Sequence, residues 1–397
     1  MDTNESREKL RRLADGLSYL AVFRGLLRLT TMSSLHRMLE DPTPDNVGQF
    51  AHNLYCHRAN LSDYILKAAY EDENPYIMKK ARRETVPFVM ERAVDNELLI
   101  LEQVSMITPG DISSAMGEYL RLPEWENTKH DFRAMYKKRI DDIFTKGTGM
   151  FAKYTTFMIK GKELVPVLSP DPQRLCDLHE YAEQRRLVED NTKALLEGLP
   201  AANCLLYGDA GTGKSSTVKA LANEYAEKGL RLIEMKKPQL HMLPDILERI
   251  ADDPLKFIIF IDDLSISEDD QDFSMLKAAL EGSAAARAAN TVIYATSNRR
   301  HLVRESFSSR TGDDIHAGDT RQELASLSER FGLRVTFLRP DKETYLRIVS
   351  HLAEKYGVDM PEEQLFEQAE AFALRRSGRS GRAAKQFVEM LVSNSRK

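Results

Sequence analysis

Three cysteines, Cys56, Cys176 and Cys204, are all that 397 residues contain. So sparse and odd a set excludes a disulfide framework, and its spacing excludes a cysteine-built metal site. It suits a reducing compartment, so a cytoplasmic location is the expectation. No apolar run approaches the roughly 18 residues a membrane span needs, and no membrane association is expected. The opening "MDTNESREKLRRLADG" has no apolar stretch leading to small residues, so no secretion signal is expected either. A basic excess is also missing. The net charge of −5 argues against nucleic-acid binding by the chain as a whole, leaving local basic patches open. Internal repeats and low-complexity segments are absent. What is present is a globular balance, 42% hydrophobic and 29% charged, in a chain long enough for two or more cores.

The first part, residues 1–146, reads as a mainly helical domain. In "EKLRRLADGLSYLAVFRGLLRLTTMSSLHRMLE" apolar residues recur at three and four, the pattern of amphipathic helices packed on one another. Pro42, Pro44, Pro75, Pro109-Gly110 and Pro123 interrupt it. His52 and His57 flank Cys56, but their spacing is off the i, i+4 geometry of a helical ligand pair, which favours a structural reading. Residues 147–172 read as a hairpin or extended connector, two short strand-like runs around "KGKE" with a proline-rich exit. A helix is expected over 175–198. From 203 onward strands alternate with helices, the signature of an α/β domain with a parallel sheet.

Chemistry concentrates there. "CLLYGDAGTGKSSTVKALANEYAEKG" places Gly208, Asp209, Ala210, Gly211, Thr212, Gly213, Lys214 and Ser215, with Ser216 next, between an apolar strand and a helix. This is the phosphate-loop spacing G-x-x-x-x-G-K-[ST]. Its glycines let backbone N–H groups wrap an anion, and the helix that follows adds its positive end. Lys214 is expected on the β- and γ-phosphates, and the Ser215 hydroxyl on Mg²⁺. Fifty residues on, "FIIFIDDLS" reads as a doubly buried strand ending in Asp262 and Asp263. Two adjacent carboxylates repel unless a cation lies near, and Mg²⁺ on a bound nucleoside triphosphate supplies one. Asp262 then holds the metal through water and Asp263 orients or deprotonates the attacking water; a plain strand-end turn is the alternative.

Further residues stay open on their own terms. Asn298 ends the strand "NTVIYATSN", where an amide can contact phosphate or water, or merely cap a turn. Arg330 ends a helix, suited either to charge on a transferring phosphoryl group or to the helix dipole. Arg379 and Arg382 stand near a helix start, which implies a nearby anion or a basic surface patch. Lys236-Lys237 read as solvated or as touching an acidic partner or nucleic acid; with Arg299-Arg300 and the 375–382 cluster they motivate a nucleic-acid reading.

Taken together these elements resemble the AAA+ class of P-loop NTPases. The resemblance implies a nucleotide-binding core over 173–340 and a helical lid over 341–397. It also implies a sensor-1 role for Asn298, an arginine finger at Arg330 acting on a neighbouring subunit's nucleotide, and a sensor-2 role for Arg382. Homo-oligomerisation, a ring among the forms, follows from the finger. Residues from about 147 to 393 are similar to a bacterial family of P-loop ATPase domains of unknown function, through "LLYGDAGTGKSSTVKAL", "KFIIFIDDLS", "LKAALEG", "YATSNRRHL", "SLSERFGLRVTF" and "RSGRAAKQF". Related ATPases often carry Glu at the position of Asp263. In the family an aromatic and a Glu follow the "DDLS" run, whereas Ile266 and Ser267 precede Glu268 here. The implied activity is Mg²⁺-dependent ATP binding and hydrolysis that remodels an unidentified protein partner, recruited through residues 1–146. A slow or non-hydrolysing nucleotide-gated module and a helicase-loader-type nucleic-acid ATPase are the alternatives. "LRLIEMKKPQLHMLPDIL" lacks the aromatic–hydrophobic–Gly loop of threading unfoldases, so polypeptide threading is not expected.

Overall fold

Prolines that punctuate the N-terminal pattern open helices rather than end them. The computed structural model describes residues 3–117, 121–264, 276, 280, 289–298, 330–376 and 378–395. It divides the chain into two units, Met1–Lys153 and Tyr154–Lys397. The first contains α1 (Thr3–Ser18), α2 (Thr30–Glu40), α3 (Pro44–Tyr55), α4 (Leu61–Glu71), α5 (Pro75–Ala81), α6 (Phe88–Ser105), α7 (Pro109–Met116) and α8 (Phe132–Asp141). Pro44, Pro75 and Pro109 occupy first-turn positions, where the missing N–H is no loss. The residues before them, Thr43, Asn74 and Thr108, cap those helices by accepting from Asn46, Ile77 and Asp111 N–H. The apolar stripes meet in one core that includes Leu17, Phe23, Leu35, Phe50, Leu101 and Phe132. One carboxylate is buried with them. Glu97 accepts the N–H groups of Ala21, Val22 and Phe23 at 2.9–3.1 Å, which pins the chain between α1 and α2 to α6.

The second unit is built on seven strands: β1 (Thr156–Lys160), β2 (Glu163–Pro166), β3 (Cys204–Gly208), β4 (Leu230–Met235), β5 (Lys256–Ile261), β6 (Thr291–Ser297) and β7 (Leu333–Phe337). Their order in the sheet is β2-β1-β4-β5-β6-β3-β7. All pairings are parallel except β1 with β2. The stretch read as a hairpin or connector thus supplies two strands that lengthen the sheet beyond β4. Phe157 and Ile159 are buried while Met158 and Lys160 are exposed, the period-two alternation an edge hairpin requires. β5 and β6 are buried along nearly their whole length, as a doubly covered parallel sheet demands.

Around the sheet lie α9 (Ala182–Leu196), α10 (Lys214–Glu224) and α11 (Leu243–Ala251). The helix expected from 175 starts only at Ala182. Glu180 and Tyr181 have φ of +62° and +58°, which no α-helix admits. That segment is held instead from the chain's last third: Arg347 forks onto Glu180 at 2.8 and 3.1 Å, Lys355 pairs with Asp177, and Tyr181 Oη donates to Leu338 O. The holding helix is α12 (Lys342–Lys355), which with α13 (Glu362–Arg375) and α14 (Gly381–Ser395) forms a three-helix lid. Its core gathers Tyr345, Val349, Ala369, Ala384 and Phe387.

Candidate functional site

Each group singled out from the α/β part of the sequence stands at a strand end, so the parallel register decides who meets whom. Gly208↔Phe337 and Tyr207↔Ser297 align the ends of β3, β7 and β6, and Ile261↔Ala295 aligns β5 with β6. The loop after β3, the two aspartates after β5 and Asn298 after β6 are therefore neighbours at one edge of the sheet. A cavity of about 770 Å³ lies there, lined on one side by Ala210 through Ser216, Asp262, Asp263, Thr296, Asn298 and Arg382. The rest of the lining mixes Leu178, Tyr181, Ile348 and Leu352 with charged groups that include Asp177, Lys385 and Glu389. A phosphate chain suits the part formed by the loop and the acid pair.

The glycines are required at two points. A Cβ on Gly208 would sit 2.0 Å from Phe337 O, and Gly211 has φ +76° with a Cβ position 3.1 Å from Ser380 Oγ. Lys214 opens α10 and is buried; its Nζ donates to Gly208 O at 3.1 Å, Asp209 O at 2.7 Å and Asn298 Oδ1 at 3.1 Å. Burial lowers its pKa from the ordinary lysine value, opposed by the nearby Asp209, Asp262 and Asp263 carboxylates. An ammonium held by three neutral oxygens in a partly buried site is a strong recruiter of anions.

The acid pair is arranged as two branches. Ser215 Oγ and Thr296 Oγ1 both donate to Asp262 Oδ1 at 2.6 Å. Asp263 N donates to Thr296 Oγ1 at 2.9 Å, and Asn298 Nδ2 donates to Asp263 Oδ1 at 2.8 Å. Asp263 has φ +55°, a left-handed conformation that turns its carboxylate away from Asp262 and onto Asn298. Ser215 and Asp262 together present a hydroxyl and a carboxylate within one hydrogen bond of each other. That donor set fits a hard divalent cation that keeps water and takes phosphate oxygens, as Mg²⁺ does.

From the lid, Arg382 lines the same cavity, and its backbone N–H donates to Gly211 O at 3.3 Å. Arg379, its neighbour in the sequence reading, is instead forked onto Glu370 at 2.9 and 2.7 Å. Arg330 is also placed apart. It precedes β7 at the end where Leu333 pairs with Cys204, while the phosphate loop begins at the Gly208↔Phe337 end. Five-residue strands separate those ends by about 13 Å, so Arg330 does not serve this chain's own cavity. Arg299, Arg300 and the run Ile266-Ser267-Glu268 lie outside the described residues. Lys236 and Lys237 follow β4 and do not line the cavity.

Two participants escaped the sequence reading. Thr296 is the hydroxyl joining both aspartates, and its only signal was its place two residues before Asn298. His179 also lines the cavity, with its ring against His351, centroids 3.1 Å apart. Burial lowers its pKa, and His351, Arg185 and Lys355 act in the same direction.

A P-loop after β3, an acid pair at the end of buried β5 with β6 between them, and a helical lid on a parallel-sheet core define the class: a P-loop nucleotide-binding fold of the AAA+ type. More particularly, residues 151–395 match the family described as "Protein of unknown function (DUF815)", and the chain belongs to it. Over 81 residues the chain is 37% identical to the replication factor C large subunit of Staphylothermus marinus, covering 20% of this chain. It spans 18% of that relative's length. Among solved structures, the Thermotoga maritima RuvB Holliday junction branch migration motor aligns at 13% identity and a TM-score of 0.38, over 55% of this chain and 63% of that one. A point mutant of the same protein aligns at 14% identity and a TM-score of 0.39, over 55% and 64%. Likenesses so distant do not carry a function. No described helix is long and apolar enough to cross a membrane.

Proposed function

We propose that this chain binds ATP with Mg²⁺ in the cavity between the phosphate loop and the lid, hydrolyses it, and uses the cycle to remodel an unidentified protein partner. The observation that carries the reading is the contact set of Lys214: Gly208 O, Asp209 O and Asn298 Oδ1, all neutral, at the head of a loop built for an anion. Phosphate oxygens offer that ammonium a better partner than any of the three. Mg²⁺, held by Ser215 and Asp262, neutralises charge on the phosphate oxygens when bound. Thr296 orients Asp262 by donating to the oxygen that Ser215 also contacts. Asp263 acts as the base for water, and Asn298 holds it in place while also touching Lys214. Arg382 adds positive charge from the lid side.

Arg330 completes the site from a second copy. Its place at the far end of β7 supports a finger working in trans, and with it a homo-oligomer. Residues 1–146, mainly helical among the described residues, would carry partner recognition. Three free cysteines suit the cytoplasm. A second reading, slow nucleotide-gated switching, is favoured by Asp263 itself, one methylene shorter than Glu and tied to Asn298. Mixing Arg330→Ala with Asp263→Asn chains separates the two. An ATPase with a finger in trans recovers part of its phosphate release in mixed assemblies; a mixture as inactive as either variant, in assemblies shown to exchange, rules the trans finger out.

A further inference from the structure

A carboxylate inside a phosphate-binding loop is out of place. Asp209 is the second residue of the loop, and its negative charge works against the anion the loop exists to hold. Ala210 through Ser216 all line the cavity, yet Asp209 does not. Its carboxylate faces the lid instead. Asp209 Oδ2 accepts the backbone N–H of Arg339 at 2.7 Å, and Asp209 N donates to Phe337 O at 2.9 Å. Leu338, Arg339, Pro340 and Asp341 are the whole link between the end of β7 and α12, whose first turn Asp341 caps through Thr344 N at 2.8 Å. The same Asp209 offers its carbonyl oxygen to Lys214 Nζ at 2.7 Å and to Thr212 Oγ1 at 2.9 Å. One residue therefore touches the phosphate-seeking lysine with its backbone and the lid's entry with its side chain.

A second tether joins the loop to the lid's last helix. Gly211 O accepts from Arg382 N at 3.3 Å, and the two glycines there leave no slack. A Cβ on Gly381 would lie 3.2 Å from Gly211 O, and one on Gly211 would lie 3.1 Å from the Arg382 Cβ. The lid is thus attached to the loop at its entry and at the helix that carries Arg382. If Lys214 leaves the Asp209 carbonyl for a phosphate, that peptide is released, and its side chain already holds the lid's entry.

We infer that Asp209 is a positioning residue: it couples occupancy of the phosphate loop to the placement of the lid, and so of Arg382, through the Arg339 N–H. The inference rests on the nucleotide-binding reading of the cavity. It gives a purpose to a side-chain acceptor at this place in the loop, which holds the Arg339 N–H.

The test uses the full chain and three readouts: affinity for a fluorescent ATP analogue with Mg²⁺, the kcat and KM of phosphate release, and hydrogen exchange of residues 339–352 with and without nucleotide. For Asp209→Ala, affinity is expected to hold or rise, because a negative charge has left the phosphate surroundings. Its kcat is expected to fall about tenfold, with the nucleotide-dependent protection of 339–352 lost. Asp209→Asn keeps a carbonyl acceptor at the same reach without the charge, and is expected to recover most of the lost kcat and the protection. An Asp209→Ala chain with wild-type kcat and protection overturns the inference. So does an Asp209→Asn chain as impaired as Asp209→Ala, which would assign the effect to charge. Should Asp209→Ala not fold, Asp209→Glu retains the charge and displaces the acceptor by one methylene, and must show the same loss of coupling. A wild-type chain that fails to bind the analogue refutes the nucleotide reading itself, a result distinguishable from any of these.

Discussion

Helix starts in the first unit and the sheet edge in the second satisfy their polar groups in different ways. In Met1–Lys153, the helix caps and Glu97 close on backbone. Thr43, Asn74 and Thr108 cap helices, and Glu97 takes three N–H groups of the α1–α2 link. These contacts are part of the folded architecture, and a ligand has nothing to replace. In Tyr154–Lys397 the polar groups at the sheet edge hold one another: Lys214 with Asn298, Asn298 with Asp263, Ser215 and Thr296 with Asp262. Such contacts are exchangeable, because a phosphate chain with its cation offers stronger partners to the same atoms. The difference shows where this chain keeps stability and where it keeps chemistry.

Substitutions that strike one unit and spare the other sharpen this contrast. The largest effect belongs to Lys214→Ala, expected to lower Mg²⁺-ATP affinity about 100-fold or more while leaving the melting temperature of the nucleotide-free chain nearly unchanged. Titration of a fluorescent analogue beside a thermal scan reads both. On the proposed role of a finger in trans, Arg330→Ala should leave affinity within about twofold and reduce kcat about 100-fold, since its charge would meet only the transition state on a neighbouring copy. In the other unit, Glu97→Ala strands three N–H groups, those of Val22 and Phe23 buried and that of Ala21 part-buried. It should cost about 3 kcal/mol of stability without changing nucleotide affinity. A matching loss of affinity would break the contrast.

The smallest effect is pH-dependent. His179 is held below its ordinary value of 6.5, first by burial and then by His351, so the unfolded chain binds the proton more readily than the folded one. Its contribution to stability is complete above that ordinary value and declines as pH falls through it toward the lowered folded value. Between pH 7.5 and 5.5, His179→Asn should lose about one or two degrees less in melting temperature than the wild type. Equal slopes would place the imidazole in water.

Much of this was legible before any coordinates. The loop at Gly208–Ser215 and the Asp262-Asp263 strand end are local signals, since an apolar run and its next few residues suffice. Asn298 could be placed at a strand end, but its joint contact with Lys214 and Asp263 depends on the order of strands, which no local pattern encodes. Contacts across long stretches were out of reach for the same reason: Asp209 with Arg339, Glu180 with Arg347 and Tyr181 with Leu338 are separated by 130, 167 and 157 residues. The start of α9 was misjudged because helical periodicity cannot see a lid pulling Glu180 and Tyr181 into left-handed backbone. The hairpin read as one possibility for the 147–172 stretch forms, but its pairing with β4 could not be seen, because two short runs of alternating residues look alike whether or not a partner strand waits. Pro44, Pro75 and Pro109 carry both meanings, helix end and helix start, and the capping residue before each decided for the second.

The most direct test of the account is phosphate release from Mg²⁺-ATP by the full chain, beside Lys214→Ala, over a range of protein concentrations. The account predicts turnover that disappears with Lys214 and rises more than linearly with concentration, as Arg330 of one copy reaches the cavity of another. Turnover strictly proportional to concentration, or surviving Lys214→Ala, would contradict it.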